Sequence, residues 1–379
     1  MNRWKIIAGV LVTAVLSSVL TLFGLAYMIG INTDSVGNIM RFIGARRYIE
    51  ANYVNDVDDT KLINGAISGM VQSLGDPHSI YLDSDLFKKL HESTTGEFGG
   101  IGIYMGFKDG VKIISVIEGT PSESAGLKAG DSIIAVNGTP ISEIQPEEVA
   151  MNIRGEAGTT VTLTIHREGE EDKDYTIERG IIPVHSVVEK DLGDGYGYIR
   201  ISNFNEHTGT EFKEALAKID EAGQKGFILD LRQNPGGLVA SCVEVANEIV
   251  PAGKIVTVID KEGREKEYDS NLGETKYKIV VLIDGGSASA SEILAGALQD
   301  TKAATIVGTK SYGKGSVQSV MPLFKEDGMK LTIAKYYTPS GRSIDGVGIE
   351  PDVLSELPAN ATEDTQLNKA KEILEGLGQ

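Results

Sequence analysis

Ile279-Val280-Val281-Leu282-Ile283-Asp284-Gly285-Gly286-Ser287-Ala288-Ser289-Ala290-Ser291-Glu292 joins a short apolar run to a small-residue run through a double glycine. An apolar strand ends, two glycines permit a tight turn, and a helix begins. The same alternation continues on both sides. Strand-like runs lie at 197–201, 227–231, 279–283, 304–307 and 329–334, and helix-like runs at 208–222, 238–250 and 290–299. Strands alternating with helices of this length predict an α/β domain around a largely parallel sheet.

Three glycine-rich segments of this domain carry candidate chemistry. The opening stretch presents Ser289 at a helix N-terminus, where free N–H groups stabilise a developing oxyanion. Ser289 and Glu292 also stand three apart, as in a capping box, and taken alone the stretch reads first as a cap. In Ser311-Tyr312-Gly313-Lys314-Gly315-Ser316-Val317-Gln318 a lysine sits between two glycines. A lysine acts as a base only when neutral, which burial favours; a solvated loop lysine is the commoner fate. A buried Lys314 would take the serine proton without any histidine, with Gln318 holding the amine. In Leu229-Asp230-Leu231-Arg232-Gln233-Asn234-Pro235-Gly236-Gly237 a strand again runs into a double glycine. There the Gly237 N–H would face an oxyanion, or the glycines serve only a tight turn.

Residues 96–170 change to short β-type runs punctuated by glycine. Asn137-Gly138 is a strong hairpin signal. The run Ala125-Gly126-Leu127 to Gly130-Asp131, Ile133, and Val136-Asn137-Gly138 closely resembles a PDZ domain. The resemblance implies a module that receives a chain end along a sheet edge. Its glycine-rich loop, Gly99, Gly100, Ile101 and Gly102, followed by Ile103, would offer N–H groups to a terminal carboxylate. Arg154 is a candidate link between this module and the α/β domain.

Residues 33–95 read as helical. Ile63, Ala66, Ile67, Met70, Val71 and Leu74 form one apolar face, with Asp58 and Asp59 as start signals. Such helices leave a face that suits a partner subunit, in a homodimer or larger homo-oligomer. Ahead of them, residues 6–31 hold no charge and follow Arg3 and Lys5. As a helix this run reaches about 39 Å, enough to span a bilayer. The basic flank places the rest of the chain outside the cytoplasm, anchored in the membrane or secreted if the segment is cleaved.

The 379 residues carry 36 basic and 54 acidic side chains, a formal net charge of -18, which repels phosphate backbones and argues against a nucleic-acid partner. A single cysteine, Cys242, excludes an intrachain disulfide and reads as a small buried hydrophobe. Only His185 and His207 of the five histidines fall in the α/β domain. A trypsin-like reading fails at Asn234-Pro235-Gly236-Gly237, which has proline where that family's serine stands.

Together these segments resemble the C-terminal processing peptidases, the tail-specific serine proteases of the S41 type, over nearly the whole chain. The resemblance takes in Asp76-Pro77-His78-Ser79, the inserted PDZ pattern, Ser287 to Glu292, the Lys314 loop, Thr338 to Ile344 and Gly348 to Asp352. It implies Ser289 as nucleophile, Lys314 as general base, Gln318 as its assistant, and the Gly237 and Ala290 N–H groups as oxyanion donors. The expected fold is multi-domain, α+β and α/β: a segment 1–32, a helical region 33–95, a PDZ domain 96–170, a protease core 171–357 and a C-terminal helix 358–379. The expected substrates are proteins or peptides bound through their C-termini, with no metal or organic cofactor. A catalytically silent relative and a PDZ scaffold are the rival readings.

Overall fold

The computed structural model describes residues 3–28, 33–107, 110–323, 326–358 and 360–377. The chain divides into two compact units, Met1–Gly75 and Asp76–Gln379. The first is helical: α1 (Arg3–Met28), α2 (Thr33–Asn52) and α3 (Asp59–Gln72). Asp58 caps α3 through its side chain, which accepts from the Lys61 N–H at 3.3 Å, as its place before the apolar repeat predicts. The membrane span expected over residues 6–31 is not found. No helix among the described residues is long and apolar enough to cross a membrane, and residues 29–32, where the apolar run ends, lie outside them.

The second unit opens with β1 (Ile80–Leu82), α4 (Ser84–Thr95) and β2 (Glu97–Gly100). A β-rich module follows: β3 (Ile103–Gly106), β4 (Val111–Val116), α5 (Pro121–Ser124), β5 (Ser132–Val136), β6 (Thr139–Pro140), α6 (Pro146–Ile153), β7 (Thr160–His166) and β8 (Lys173–Glu178). Its strands run in the order β3-β4-β5-β7-β8, so β3 is an edge. Ile113, Leu127, Ile133, Val149, Leu163 and Ile177 close a core of its own. Because β8 belongs to this sheet, the boundary expected at residue 170 falls inside the module. The chain leaves through β9 (Gly180–Pro183), which pairs antiparallel with β2, so entry and exit lie side by side.

That pairing corrects one expectation. Gly99 and Gly100 are not loop residues but strand partners of Ile181 and Gly180. The turn before the edge strand is Ile101-Gly102 alone, with Ile103 opening β3.

The core continues with β10 (Val187–Gly193), β11 (Tyr196–Ile201), α7 (Thr208–Glu221), β12 (Gly226–Asp230), α8 (Val239–Ile249), β13 (Gly253–Asp260) and β14 (Glu265–Ser270). Then come β15 (Lys278–Ile283), α9 (Ala290–Asp300), β16 (Ala304–Gly308), β17 (Ser316–Pro322), β18 (Gly328–Tyr337), β19 (Val353–Leu354) and α10 (Thr365–Gly376). One sheet runs β10-β11-β12-β15-β16-β19, parallel from β11 onward with β10 antiparallel at its edge. Its strands alternate between two cores. Phe227, Leu229, Ile279, Val281 and Ile283 pack with residues of α7, α8 and α9. Ile228, Val280 and Leu282 pack with Ala370 and Leu374 of α10. Both faces are therefore buried, which explains the unbroken apolar runs.

The expected parallel sheet is only part of the core. β18 belongs to a second, antiparallel sheet, where β1, β13 and β17 all pair with it and β14 extends beyond β13. This second sheet carries Gln318 and Lys330 towards Ser289.

Candidate active site

Ser289 is the N-cap of α9, with φ 55° and ψ −114°. That backbone is one a side chain rarely adopts, and it persists only where the surroundings enforce it. The Ser289 N–H donates to Glu292 Oε2 at 2.8 Å. Ser289 Oγ stands in capping-box position over the Glu292 N–H, yet that N–H donates to the Ser289 carbonyl at 2.8 Å. In this capping box Oγ is at most an acceptor, so the hydroxyl keeps its proton for chemistry.

The second elbow is fastened to the first. Asn234 is fully buried; its Nδ2 donates to the Ile201 carbonyl at 2.9 Å and its Oδ1 accepts from the Gly236 N–H at 2.9 Å. Its carbonyl accepts from the Ala288 N–H and from Ser291 Oγ, both at 3.0 Å. Gly236 lies so near that a Cβ there would come within 2.8 Å of the Ser289 Cβ and 2.9 Å of the Ala290 N. At Gly237, φ 145° and contact with the Phe204 backbone leave no room for a side chain. Among the described residues, the Gly237 and Ala290 N–H groups meet no hydrogen-bond acceptor.

Lys314 is half-buried in a loop held from two sides. The Gly346 N–H donates to the Gly313 carbonyl at 2.8 Å, and the Ile349 N–H donates to Ser311 Oγ at 2.7 Å. Glu292 binds the other side. Its Oε1 accepts from Ser311 Oγ at 2.5 Å and the Gly313 N–H at 2.7 Å, and its Oε2 accepts from the Lys314 N–H at 2.9 Å. Tyr336 Oη donates to the Lys314 carbonyl and lies 3.2 Å from the Ser289 carbonyl. Burial lowers the Lys314 pKa and the Lys330 charge lowers it further, while Glu292 and Asp76 pull it up.

Ser289, Lys314, Gln318 and Gly237 thus line one cleft of about 420 Å³, with Tyr336 and Lys330. One expected contact is absent. Gln318 Nε2 donates to Ser316 Oγ at 2.9 Å and Thr332 Oγ1 at 3.2 Å, and among the described residues no hydrogen bond joins Gln318 to Lys314. Only Gln318 Oε1 is left to face the amine.

The histidines lie elsewhere. His185 Nδ1 is 2.7 Å from Glu211 and His207 Nε2 is 3.2 Å from Glu97, both outside the cleft. Cys242 is fully buried, and its thiol donates to the Ala290 carbonyl at 3.2 Å. Arg154 lies over the Phe98 ring at 4.2 Å, between the β-rich module and the stem it hangs from. Tyr336 and the bridging role of Glu292 were missed from sequence. The one available signal was the capping-box spacing of Glu292.

An α/β core with this elbow, preceded by an inserted β-rich module, is the architecture of a hydrolase with a separate recognition domain. Family models match three regions: peptidase family S41 over residues 195–355, the activating protease CtpB N-terminal domain over 31–86, and the PDZ domain over 89–166. The carboxy-terminal-processing protease of Bartonella bacilliformis is 44% identical over 329 residues, covering 84% of this chain and 75% of that protein. The carboxy-terminal processing protease CtpA of Bacillus subtilis is 38% identical over 364 residues, covering 94% and 78%. The solved photosystem II D1 C-terminal processing protease is 28% identical, with a TM-score of 0.51 over 88% of this chain and 96% of that one. The chain belongs to peptidase family S41, among the carboxy-terminal processing proteases, and is a serine peptidase carrying a PDZ domain.

Proposed function

We propose that the chain cleaves peptide bonds through an acyl-enzyme on Ser289, with Lys314 as the base. The observation that carries this is the cleft that unites Ser289, Lys314 and Gly237 and, among the described residues, contains no histidine. Ser289 Oγ attacks the scissile carbonyl while Lys314 Nζ takes its proton. The Gly237 and Ala290 N–H groups receive the oxyanion. Lys314 passes the proton to the leaving amine, then takes one from the attacking water and returns it to Ser289 as the ester is hydrolysed. Gln318 Oε1 orients the amine.

Substrates are proteins or peptides whose C-termini add to the edge strand β3, with Ile101-Gly102 at the carboxylate end. Work outside the cytoplasm rests on sequence alone, the charge-free run 6–31 behind Arg3 and Lys5. Assembly into a homo-oligomer is supported by exposed Ile39, Met40 and Phe42 on α2.

The test is proteolysis of an unfolded protein ending in apolar residues, followed against pH. Because burial and Lys330 lower the Lys314 pKa and only the neutral amine is a base, activity is present above that lowered pKa and lost as pH falls through it. The limb is expected below the ordinary lysine value of about 10.4 and unmoved by His185→Ala or His207→Ala. No cleavage at any pH overturns the protease reading; a limb near about 6.5 that vanishes in His185→Ala overturns the lysine.

A further inference from the structure

The cleft holds a second lysine. Lys330, on β18 opposite Ile80 of β1 and Val320 of β17, is half-buried and lines the same cavity as Ser289 and Lys314. Among the described residues no acidic side chain lines that cavity, although the chain carries 54 acidic against 36 basic side chains. The two carboxylates whose charge reaches Lys314, Glu292 and Asp76, are hydrogen-bonded to other groups. Glu292 already accepts from Ser289, Ser311, Gly313 and Lys314. Asp76 accepts from Ser79 Oγ at 2.6 Å and the His78 N–H at 3.0 Å. Among the described residues neither lysine forms an ion pair.

An ammonium withdrawn from water without a counter-charge is costly, and in a substrate cleft it is a ready site for an anion. Burial lowers the Lys330 pKa as well, but with Lys314 neutral in the proposed mechanism Lys330 is the group left to carry charge, which a bound carboxylate would stabilise. We propose that Lys330 binds a carboxylate of the substrate, either the terminal α-carboxylate of the tail or an Asp or Glu side chain near the scissile bond. The inference rests on the serine-peptidase reading of this cleft. It adds a second carboxylate reader, separate from the PDZ edge and beside the nucleophile. Apolar Leu90, Val239, Val317 and Val320 line the same cleft and suit the neighbouring side chains.

The experiment compares Lys330→Met with the unaltered full chain on three peptides of one sequence: a free C-terminal acid, its C-terminal amide, and that amide carrying one Asp near the cleavage site. Removing a charge-assisted hydrogen bond to one of these substrates predicts a fall in kcat/KM on that substrate about 10-fold or more greater than the fall on the plain amide, which reports the loss of the Lys330 charge beside Lys314. A selective fall on the free acid assigns the α-carboxylate; a selective fall on the Asp peptide assigns a side chain. Lys330→Arg is expected to retain the preference. Equal loss on all three peptides, as expected if Lys330 only lowers the Lys314 pKa or supports the fold, overturns the proposal, and so does no loss on any. The PDZ domain is unaltered in both proteins, so its own preference cancels. Cleavage surviving in Ser289→Ala would instead sink the serine-peptidase reading itself, which keeps the two failures apart.

Discussion

Ser289→Ala and Lys314→Met are each expected to lower kcat/KM by about four orders of magnitude or more, and the double variant to be no slower than either alone. Serine and lysine act in one step, the transfer of a proton as Oγ attacks, so removing either removes the step. Lys314→Arg is expected to be as inactive as Lys314→Met, because a guanidinium stays protonated and cannot serve as a base. The backbone at Ser289, φ 55° and ψ −114°, adds a second readout. Glycine relieves a conformation that alanine does not, so Ser289→Gly is expected to be more stable than Ser289→Ala by about 1 kcal/mol while equally inactive. Initial rates on an unfolded protein and thermal melts check both halves. Lys314→Met activity within tenfold of the unaltered enzyme, or additive losses in the double variant, would exclude the pair as one catalytic unit.

The elbow was legible because strand, double glycine, small residues and Glu292 are contiguous in the chain. Its two readings turn out to be compatible: Ser289 is the N-cap in a capping box, where Oγ is at most an acceptor and keeps its proton. The parallel sheet was legible for a related reason, since Phe227, Ile228 and Leu229 feed opposite faces that are both buried, giving unbroken apolar runs. The antiparallel sheet was not. β18 pairs Lys330 with Ile80, 250 residues away, and no local pattern encodes such a register. The ties of Tyr336 to the main chains of Ser289 and Lys314 were hidden for the same reason. In the β-rich module the glycines of Gly99-Gly100-Ile101-Gly102 look alike in sequence. Only the pairing with β9 separates the first two, which form a stem, from the turn that follows.

Glu292→Gln is expected to lower kcat/KM by about two orders of magnitude and to move the pH limb of activity downward. Glu292 is fully buried, and all four of its partners are donors. The N–H groups of Ser289, Gly313 and Lys314 can only donate, and Ser311 Oγ, which accepts from the Ile349 N–H at 2.7 Å, donates its proton to Glu292 Oε1. Four donors on two oxygens favour the carboxylate, against the burial that pushes its pKa up. Glutamine offers one oxygen and one NH2, so whichever way it turns, at least one main-chain donor loses its acceptor inside the protein. Turned one way it releases the Ser289 and Lys314 main chains; turned the other it releases the Gly313 main chain. Either loosens the lysine loop against the serine elbow, and displacements near 1 Å cost about 100-fold in a reaction that depends on alignment. The pH shift separates this from loss of folding. The Glu292 charge raises the Lys314 pKa, so removing it lets the lysine lose its proton at lower pH. A variant that merely unfolds more readily would lose amplitude with the limb unmoved. An unmoved limb, or activity within about threefold of the unaltered enzyme, would show that Glu292 does not position the pair.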